Sequence, residues 1–181
     1  MISLQKDRES AAMSNNTIHS ETNPAVIYRS EVRATPAGGG IKLVSLPCEA
    51  APVPMGMHGE IADHYKLPEG SYTPRAATLD YLVGATAACL LGTLARALRV
   101  REINSDADHL RMDAVGEHEI EDGVMVLRRI HVTVHLRAKP SQRETVERVF
   151  PIFASQCPVH RSIEKAIGIT TQLDFQPTDT A

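Results

Sequence analysis

The chain has 181 residues and a formal net charge of −3, with 19 Lys and Arg against 22 Asp and Glu. This length allows one domain with a sizeable core, and the charge argues against a protein that holds nucleic acid through a basic surface, because phosphate neutralisation needs clustered Lys and Arg. Aromatic residues make up 4% of the sequence and Trp does not occur, so we expect an aliphatic core.

The first 24 residues contain Ser, Asn, Thr, Glu and Lys and almost no large apolar side chains. Such a segment cannot repay the entropy cost of ordering its backbone, so residues 1–24 are predicted to be a flexible arm. They lack the apolar run of a secretory signal peptide, and the three cysteines lack the spacing of a disulfide framework. We therefore expect a cytoplasmic protein with a folded domain at 25–175 and a polar tail at 176–181.

Two strands joined by a turn are predicted after the arm. AVIYRSEVRAT, which starts at Ala25, and IKLVSL at 41–46 both show the alternation of a strand, and PAGGG at 36–40 supplies the turn of a hairpin. The next stretch, LPCEAAPVPMGMHGE at 46–60, contains three prolines and two glycines and is predicted to be irregular. Its Cys48 has no partner pattern and is interpreted as a passive thiol.

A long helix is predicted to begin near Ala76, where Pro74 closes a loop. Apolar residues recur at helical spacing while small residues keep the other faces slim, so we expect this helix to be the central element of the fold. Its apolar run at 82–95 has 14 residues. A bilayer core needs about 20, so no membrane span is expected.

A second hairpin and a further helix follow. His109 to Ile120 and Val124 to Lys139 alternate on either side of a Glu-Asp-Gly turn, which indicates a sheet with one buried face. Ser141 and Glu144 have the spacing of a capping box. This predicts a helix start there, and Pro151 is expected to end or kink that helix.

A short helix from Pro158 and a strand at 170–175, TTQLDF, complete the predicted elements. The order of strands, long helix, strands, helices and strand is typical of an α+β fold. PAGGG lacks the sequence context of a phosphate or dinucleotide loop, so no nucleotide cofactor is predicted.

Cys157 directly precedes the short helix. Pro158 suits the first helical position, so Cys157 is predicted to be the N-cap, with its sulfur among unpaired N–H groups at the positive end of the helix dipole. That environment lowers a thiol pKa and favours the nucleophilic thiolate. A reactive thiol and a cysteine that merely replaces a Ser-type cap both stay open from this stretch alone.

Cys89 lies in the middle of the long apolar helix. A cysteine there is typical of a small core residue, and burial would raise its pKa. The alternative is a reactive thiol, which needs a cation from elsewhere in the fold or from a second subunit.

Two motifs resemble one protein family. ATLDYLVGATAAC at 77–89 is similar to the first cysteine motif of the OsmC/Ohr family, named for osmotically inducible protein C and organic hydroperoxide resistance protein. QCPVHRSI at 156–163 is similar to its second cysteine motif, in which CPV precedes a short helix. The resemblance covers 25–175. It implies an OsmC-like domain with antiparallel sheets around a long central helix, in an intertwined homodimer.

The resemblance also implies a reaction. In the family the first cysteine attacks an organic hydroperoxide and becomes a sulfenic acid, which the second cysteine resolves as a disulfide. Carried over, Cys89 is the peroxidatic cysteine and Cys157 the resolving one. A dithiol, of lipoyl type in the hydroperoxide-resistance branch, would reduce the pair again. The implied function is a thiol-dependent peroxidase without a cofactor.

The groups that activate the first cysteine in the family are displaced here. The family's carboxylate, ten positions before the cysteine, falls on Leu79, and the adjacent Asp80 is the acidic candidate. Asp80 is also interpreted as a first-turn residue stabilised by the helix dipole. The family's arginine has no match in ATPAGGG. The substitutes in the sequence are Arg33, Arg29 and Arg75.

His160 is a further supporting candidate, interpreted either as a base or as a solvated first-turn side chain. Because of these departures, a second function stays open: a non-catalytic OsmC-like module that binds a hydrophobic small molecule at the dimer interface. A metal site formed by Cys89, Cys157 and a histidine has little support, since no ligand pair shows the close spacing of zinc sites.

Overall fold

The computed structural model describes residues 25–178. The predicted flexible arm and the last three residues of the predicted tail lie outside the described residues. The chain divides into two units, 1–31 and 32–181. In the first unit, residues 25–31 form neither helix nor strand, so the strand predicted from Ala25 is wrong over that part.

The first sheet has three antiparallel strands in the order β1-β2-β3. They are β1 (Arg33–Pro36), β2 (Lys42–Ser45) and β3 (Val53–Met55). The predicted hairpin is confirmed for β1 and β2, whose turn uses three consecutive glycines with positive φ, a conformation that favours glycine. The Pro-rich stretch is not wholly irregular, because Val53–Met55 pairs with β2. As an edge strand of this sheet, β3 tolerates Pro54.

Two helices follow, α1 (Gly59–His64) and the long α2 (Thr78–Arg99). The predicted long helix is confirmed. Its fully buried positions recur every four residues and therefore form one stripe along the helix. These positions are Thr86, Leu90, Leu94 and Leu98.

α2 has 22 residues and contains an 18-residue window with a mean hydropathy of 1.5, so it has the length and composition of a membrane span, which the shorter apolar run in the sequence did not indicate. Here α2 packs on the second sheet and on the helices that follow it. In this chain 22% of that window is buried.

The second sheet contains β4 (Leu110–Glu121), β5 (Val124–Ala138) and β6 (Gly168–Pro177). β4 and β5 form the predicted antiparallel hairpin, but β5 and β6 run parallel. The prediction of purely antiparallel sheets is therefore wrong. The helices between β5 and β6 carry the chain back to the end of the sheet where β5 begins, as a parallel pair requires. β6 also extends into the predicted tail as far as Pro177.

Those connecting helices are α3 (Arg143–Phe153) and α4 (Pro158–Ile163). The predicted capping box is displaced: the side-chain oxygen of Gln142 accepts a hydrogen bond from the backbone N–H of Lys139 at 3.1 Å. A 3₁₀ turn comes before α3, and another joins it to α4. Pro151 does not end α3, because buried Phe153 anchors the last turn in the core.

The core lies between α2, α3 and the inner face of the second sheet. Its fully buried side chains are mostly aliphatic, as the composition predicts. The strand residues that contribute to it are Leu110, Leu127, Ile130, Val132, Val134, Leu136 and Ala138.

Candidate functional site

Cys89 occupies the middle of α2 and is half-buried, with its thiol free. One turn later, the hydroxyl of Thr93 donates a hydrogen bond to the backbone carbonyl of Cys89 at 2.8 Å. Cys89 is therefore not enclosed in the core. It lies at the edge of the buried stripe of α2, where solvent or a ligand reaches it.

Cys157 is the N-cap residue of α4, as predicted. Its Sγ accepts the backbone N–H of His160 at 3.5 Å, and Pro158 fills the first helical position. The residue is fully buried and its thiol is free. A cap of this kind fixes the direction of the thiol at the start of the helix.

The packing of α2 against α4 brings the two thiols together. The side chains of Cys89 and Thr93 lie close enough to the Cys157 thiol to influence its pKa. Two cysteines from distant parts of the sequence thus share one small site in the dithiol state.

Burial raises the pKa of the Cys157 thiol above its ordinary value, although the N–H of His160 opposes this effect. The neighbouring Cys89 raises it further. The predicted lowering of the Cys157 pKa is therefore wrong. A six-residue helix offers few N–H groups, and they do not compensate for the hydration that a buried thiolate loses. Cys157 is held in the thiol form, which is a poor first nucleophile.

A cavity of about 750 Å³ opens beside Cys89. Its volume falls in the range of small-molecule sites. α2 contributes Thr93 and Arg96 to one wall, and the segment around α4 contributes Gln156 and Pro158 to the other. Among the described residues that line it, Arg96 is the charged one. The full lining is Ala88, Cys89, Gly92, Thr93, Arg96, Ala97, Val100, Phe153, Gln156 and Pro158.

Asp80 lies in the first turn of α2. Its carboxylate accepts the N–H of Ala77 at 2.6 Å and lies 2.7 Å from Nε2 of His58. Partial burial raises the pKa of Asp80, but these hydrogen bonds outweigh burial and hold the pKa below its ordinary value. Cys89 lies nine positions later on the same helix, about 14 Å along the axis. Within one chain the structure gives Asp80 a capping position away from the thiols.

The other candidates also lie apart from Cys89. Arg33 is exposed on β1, in the first sheet, and Arg75 precedes α2. His160 is not a solvated side chain: it is 15% exposed, and its Nδ1 lies 3.0 Å from the Glu164 carboxylate in an ion-pair contact without hydrogen-bond geometry. Its backbone N–H, not its ring, contacts the Cys157 sulfur.

Thr93 and Arg96 were not identified from the sequence. The signal that finds them is helical spacing, because residues four and seven positions after Cys89 lie on the same face of α2. Within 25–178, no three His, Cys, Asp or Glu side chains are placed to hold a metal ion.

Comparison with known proteins decides the family. A family model described as OsmC-like protein matches residues 74–172, more than half of the chain, and includes both cysteines of the site. The chain belongs to the OsmC family. The resemblance carried by the two cysteine motifs is thus confirmed.

Solved structures agree with the OsmC-family fold. An OsmC-like protein from Mycoplasma pneumoniae is 15% identical, with a TM-score of 0.64, and the match covers 83% of this chain and 99% of that one. An OsmC-like protein of unknown function from Vibrio cholerae is 10% identical, with a TM-score of 0.66, and the match covers 82% of this chain and 100% of that one. The organic hydroperoxide resistance protein OhrB of Bacillus subtilis is 13% identical, with a TM-score of 0.56, and the match covers 83% of this chain and 100% of that one. Identities this low show the fold alone. A search of curated proteins gave no match.

Proposed function

We propose that this OsmC-family protein is a thiol-dependent peroxidase that reduces organic hydroperoxides through Cys89 and Cys157. The observation that carries the proposal is the contact between an accessible thiol on α2 and a buried, capped thiol at the start of α4. The cavity beside Cys89 leaves room for the organic part of a hydroperoxide.

In the first step the Cys89 thiolate attacks the terminal oxygen of the hydroperoxide. The O–O bond breaks, Cys89 becomes a sulfenic acid, and the alkoxide leaves and takes a proton as the alcohol. Cys89 lines the cavity while Cys157 is fully buried, so a peroxide in the cavity reaches Cys89 first.

In the second step Cys157 loses its proton and attacks the sulfur of the Cys89 sulfenic acid. The new S–S bond releases the hydroxyl group as water. The contact between the two thiols favours this step over attack by a second hydroperoxide, which would oxidise Cys89 irreversibly. A dithiol reductant, of the lipoyl type that the resemblance implies, then exchanges with the disulfide, restores both thiols and leaves as its own disulfide.

The proposal includes a homodimer in the reducing cytoplasm. Small residues are exposed along α2 and allow a second helix to approach closely. They are Gly84, Ala85, Ala88 and Gly92. A second subunit would also be the source of the cation that the family places beside the first cysteine, since Arg33 and Arg75 lie apart from Cys89 in one chain. Sedimentation velocity of the full chain tests this, and a monomer at micromolar concentration would contradict it.

Two serine variants test the roles of the cysteines. With an alkyl hydroperoxide and a dithiol, both Cys89→Ser and Cys157→Ser are expected to lose turnover. Only Cys157→Ser should form a sulfenate that dimedone traps, because it keeps the attacking thiol. Cys48→Ser serves as the matched control and keeps full turnover. A trapped sulfenate in Cys89→Ser would reverse the assigned roles.

The second candidate is a non-catalytic OsmC-family module that binds a hydrophobic small molecule. It is favoured by the displaced activating groups: Leu79 stands at the position of the family carboxylate, and ATPAGGG has no arginine at the position of the family arginine. Counting free thiols after addition of an alkyl hydroperoxide separates the two functions. An unchanged count at Cys89 and Cys157 supports binding alone.

A further inference from the structure

Another cavity lies on the face of the second sheet that points away from the core. Its volume is about 150 Å³, and it opens where β4 begins and where β5 and β6 end. Cavities that hold whole organic ligands measure about 300 to 1,000 Å³, so this one fits a small ion or the end of a larger molecule. The polar side chains that line it are Asp108, His109, Arg111, His135, Arg137 and Gln176.

Two arginines from neighbouring strands face this cavity. Leu110 pairs with Leu136, so Arg111 and Arg137 are diagonal neighbours on the outer face of the sheet. Such neighbours lie about 7 to 8 Å apart. The backbone N–H of Arg137 donates to the carbonyl of His109 at 2.8 Å and so fixes the loop before β4 beside the two arginines. Two guanidinium groups this close repel each other, and an anion between them offsets the repulsion.

The counterions on this face are distributed unevenly. His135 uses both ring nitrogens for carboxylates, at 2.8 Å to Asp174 and 3.0 Å to Asp113. Arg111 reaches Asp113 at 2.9 Å through one of its nitrogens. Arg137 forms no ion pair within residues 25–178. In that part of the chain Arg137 is thus a cation without a counterion, at the wall of a cavity.

One carboxylate, that of Asp108, also lines the cavity. Arginine stays protonated throughout the physiological pH range, so the lining carries two permanent positive charges against this one negative charge. Asp108 therefore weakens the attraction for an anion without cancelling it.

We infer that this cavity binds a tetrahedral oxyanion, namely a phosphate group that is free or at the end of a small organic molecule. One guanidinium fork matches both oxygens of a carboxylate, whereas a phosphate offers further oxygens to a second fork. Two arginines beside one small cavity therefore suit phosphate better than carboxylate. The site uses neither thiol, so it does not depend on the proposed peroxidase.

An NMR titration of the ¹⁵N-labelled full chain with inorganic phosphate at pH 8 tests the site. We expect saturable shifts of the amide signals of Asp108, Arg111 and Arg137, with half-saturation at about 1 mM or below. Acetate is expected to bind about tenfold more weakly, because it fills only one fork. Glycerol 3-phosphate is the second arm. Equal binding of the two phosphates identifies a site for the phosphate group alone, tighter binding of the ester identifies an organic phosphate, and both results support the inference.

Two variants change the affinity in opposite directions. Arg137→Gln is expected to weaken phosphate binding about tenfold or more, because it removes charged hydrogen-bond donors. Asp108→Asn is expected to tighten binding about threefold or more, because it removes a like charge. A gain of affinity cannot come from a damaged fold. The matched controls are Arg148→Gln on α3 and Asp122→Asn in the β4–β5 turn, which make the same charge changes away from the cavity and should leave the affinity within about twofold.

Three results would overturn the inference. The first is a titration that does not saturate up to about 20 mM phosphate. The second is equal binding of acetate and phosphate. The third is an equal change of affinity in the variants and in their matched controls, because this would reflect general charge attraction.

Discussion

Replacing Thr93 by Val is expected to slow the closure of the disulfide. Two groups lower the pKa of the Cys157 thiol and so favour its thiolate: the backbone N–H of His160, at 3.5 Å, has the larger influence, and the Thr93 side chain has the smaller one. Val keeps the size of Thr but cannot donate. Cys157 must ionise to attack the sulfenic acid of Cys89, so the loss of this donor acts on the second step of the reaction.

The size of the effect follows from the hydrogen bond. A hydrogen bond to a charged group contributes about 1.5 to 3 kcal/mol. The single Thr93 proton is shared with the Cys89 carbonyl at 2.8 Å, so the lower end applies, which corresponds to roughly a tenfold smaller thiolate fraction. A thiolate of higher pKa is also a stronger nucleophile, and this recovers part of the loss. The net expectation is about a three- to fourfold slower closure at pH 7.

The assay is the competition between disulfide formation and over-oxidation of Cys89. The variant and the wild type are treated with increasing hydroperoxide, and mass spectrometry measures the fraction of sulfinic acid. The hydroperoxide concentration that gives half over-oxidation is expected to fall three- to fourfold in Thr93→Val. Thr93→Ser, which keeps the hydroxyl, should behave like the wild type. Equal thresholds in all three proteins, or a Ser variant as sensitive as the Val variant, would refute the reasoning.

Three further predictions follow from the contacts described above. Asp80→Asn is expected to lower the free energy of unfolding by about 1 kcal/mol, because it weakens the first-turn cap of α2. The pKa of Asp80 is lowered in the folded state, so its contribution to the free energy of unfolding is present above the unfolded pKa and is lost as pH falls through the folded pKa. Urea unfolding between pH 7 and pH 2 should show this loss of stability in the wild type and not in the variant. The pH dependence of the Cys157 contribution to folding stability has the opposite sign, because the pKa of Cys157 is raised in the folded state. This contribution is present below the unfolded pKa and is lost as pH rises through the folded pKa. Over the same alkaline range, disulfide closure is expected to become faster. If stopped-flow measurement shows no increase in the rate of disulfide closure between pH 7 and pH 9, this prediction is wrong. In Gly116→Ala the new Cβ would lie 2.6 Å from a methyl group of Val83 on α2 and 3.1 Å from one of Leu127, so thermal unfolding is expected to show a loss of about 1 to 3 kcal/mol, and an unchanged Tm would contradict the tight packing of α2 on β4.

Much of the fold follows from local patterns. The spacing of Leu90 and Leu94 indicates the buried face of α2, and the alternation around Val132 indicates the inner face of β5. The parallel pairing of β6 does not follow from any local pattern. It depends on the route of α3 and α4 across the sheet, which is a property of the whole chain.

The candidate site shows the same division. The N-cap position of Cys157 is predictable because Pro158 follows it, but its raised pKa is not, since burial depends on how α2 covers the start of α4. Thr93 and Arg96 could not be identified from the sequence because they line a cavity, and a cavity is formed by elements distant in sequence. The proximity of Cys89 to Cys157 came from the family resemblance and not from the spacing of the residues.

The most direct test of the account is a disulfide map of the reduced protein after one equivalent of an alkyl hydroperoxide. We expect a crosslink between Cys89 and Cys157 of the same chain, with Cys48 still free and one equivalent of alcohol formed. A protein whose Cys89 and Cys157 stay free, or whose crosslink involves Cys48, would contradict it.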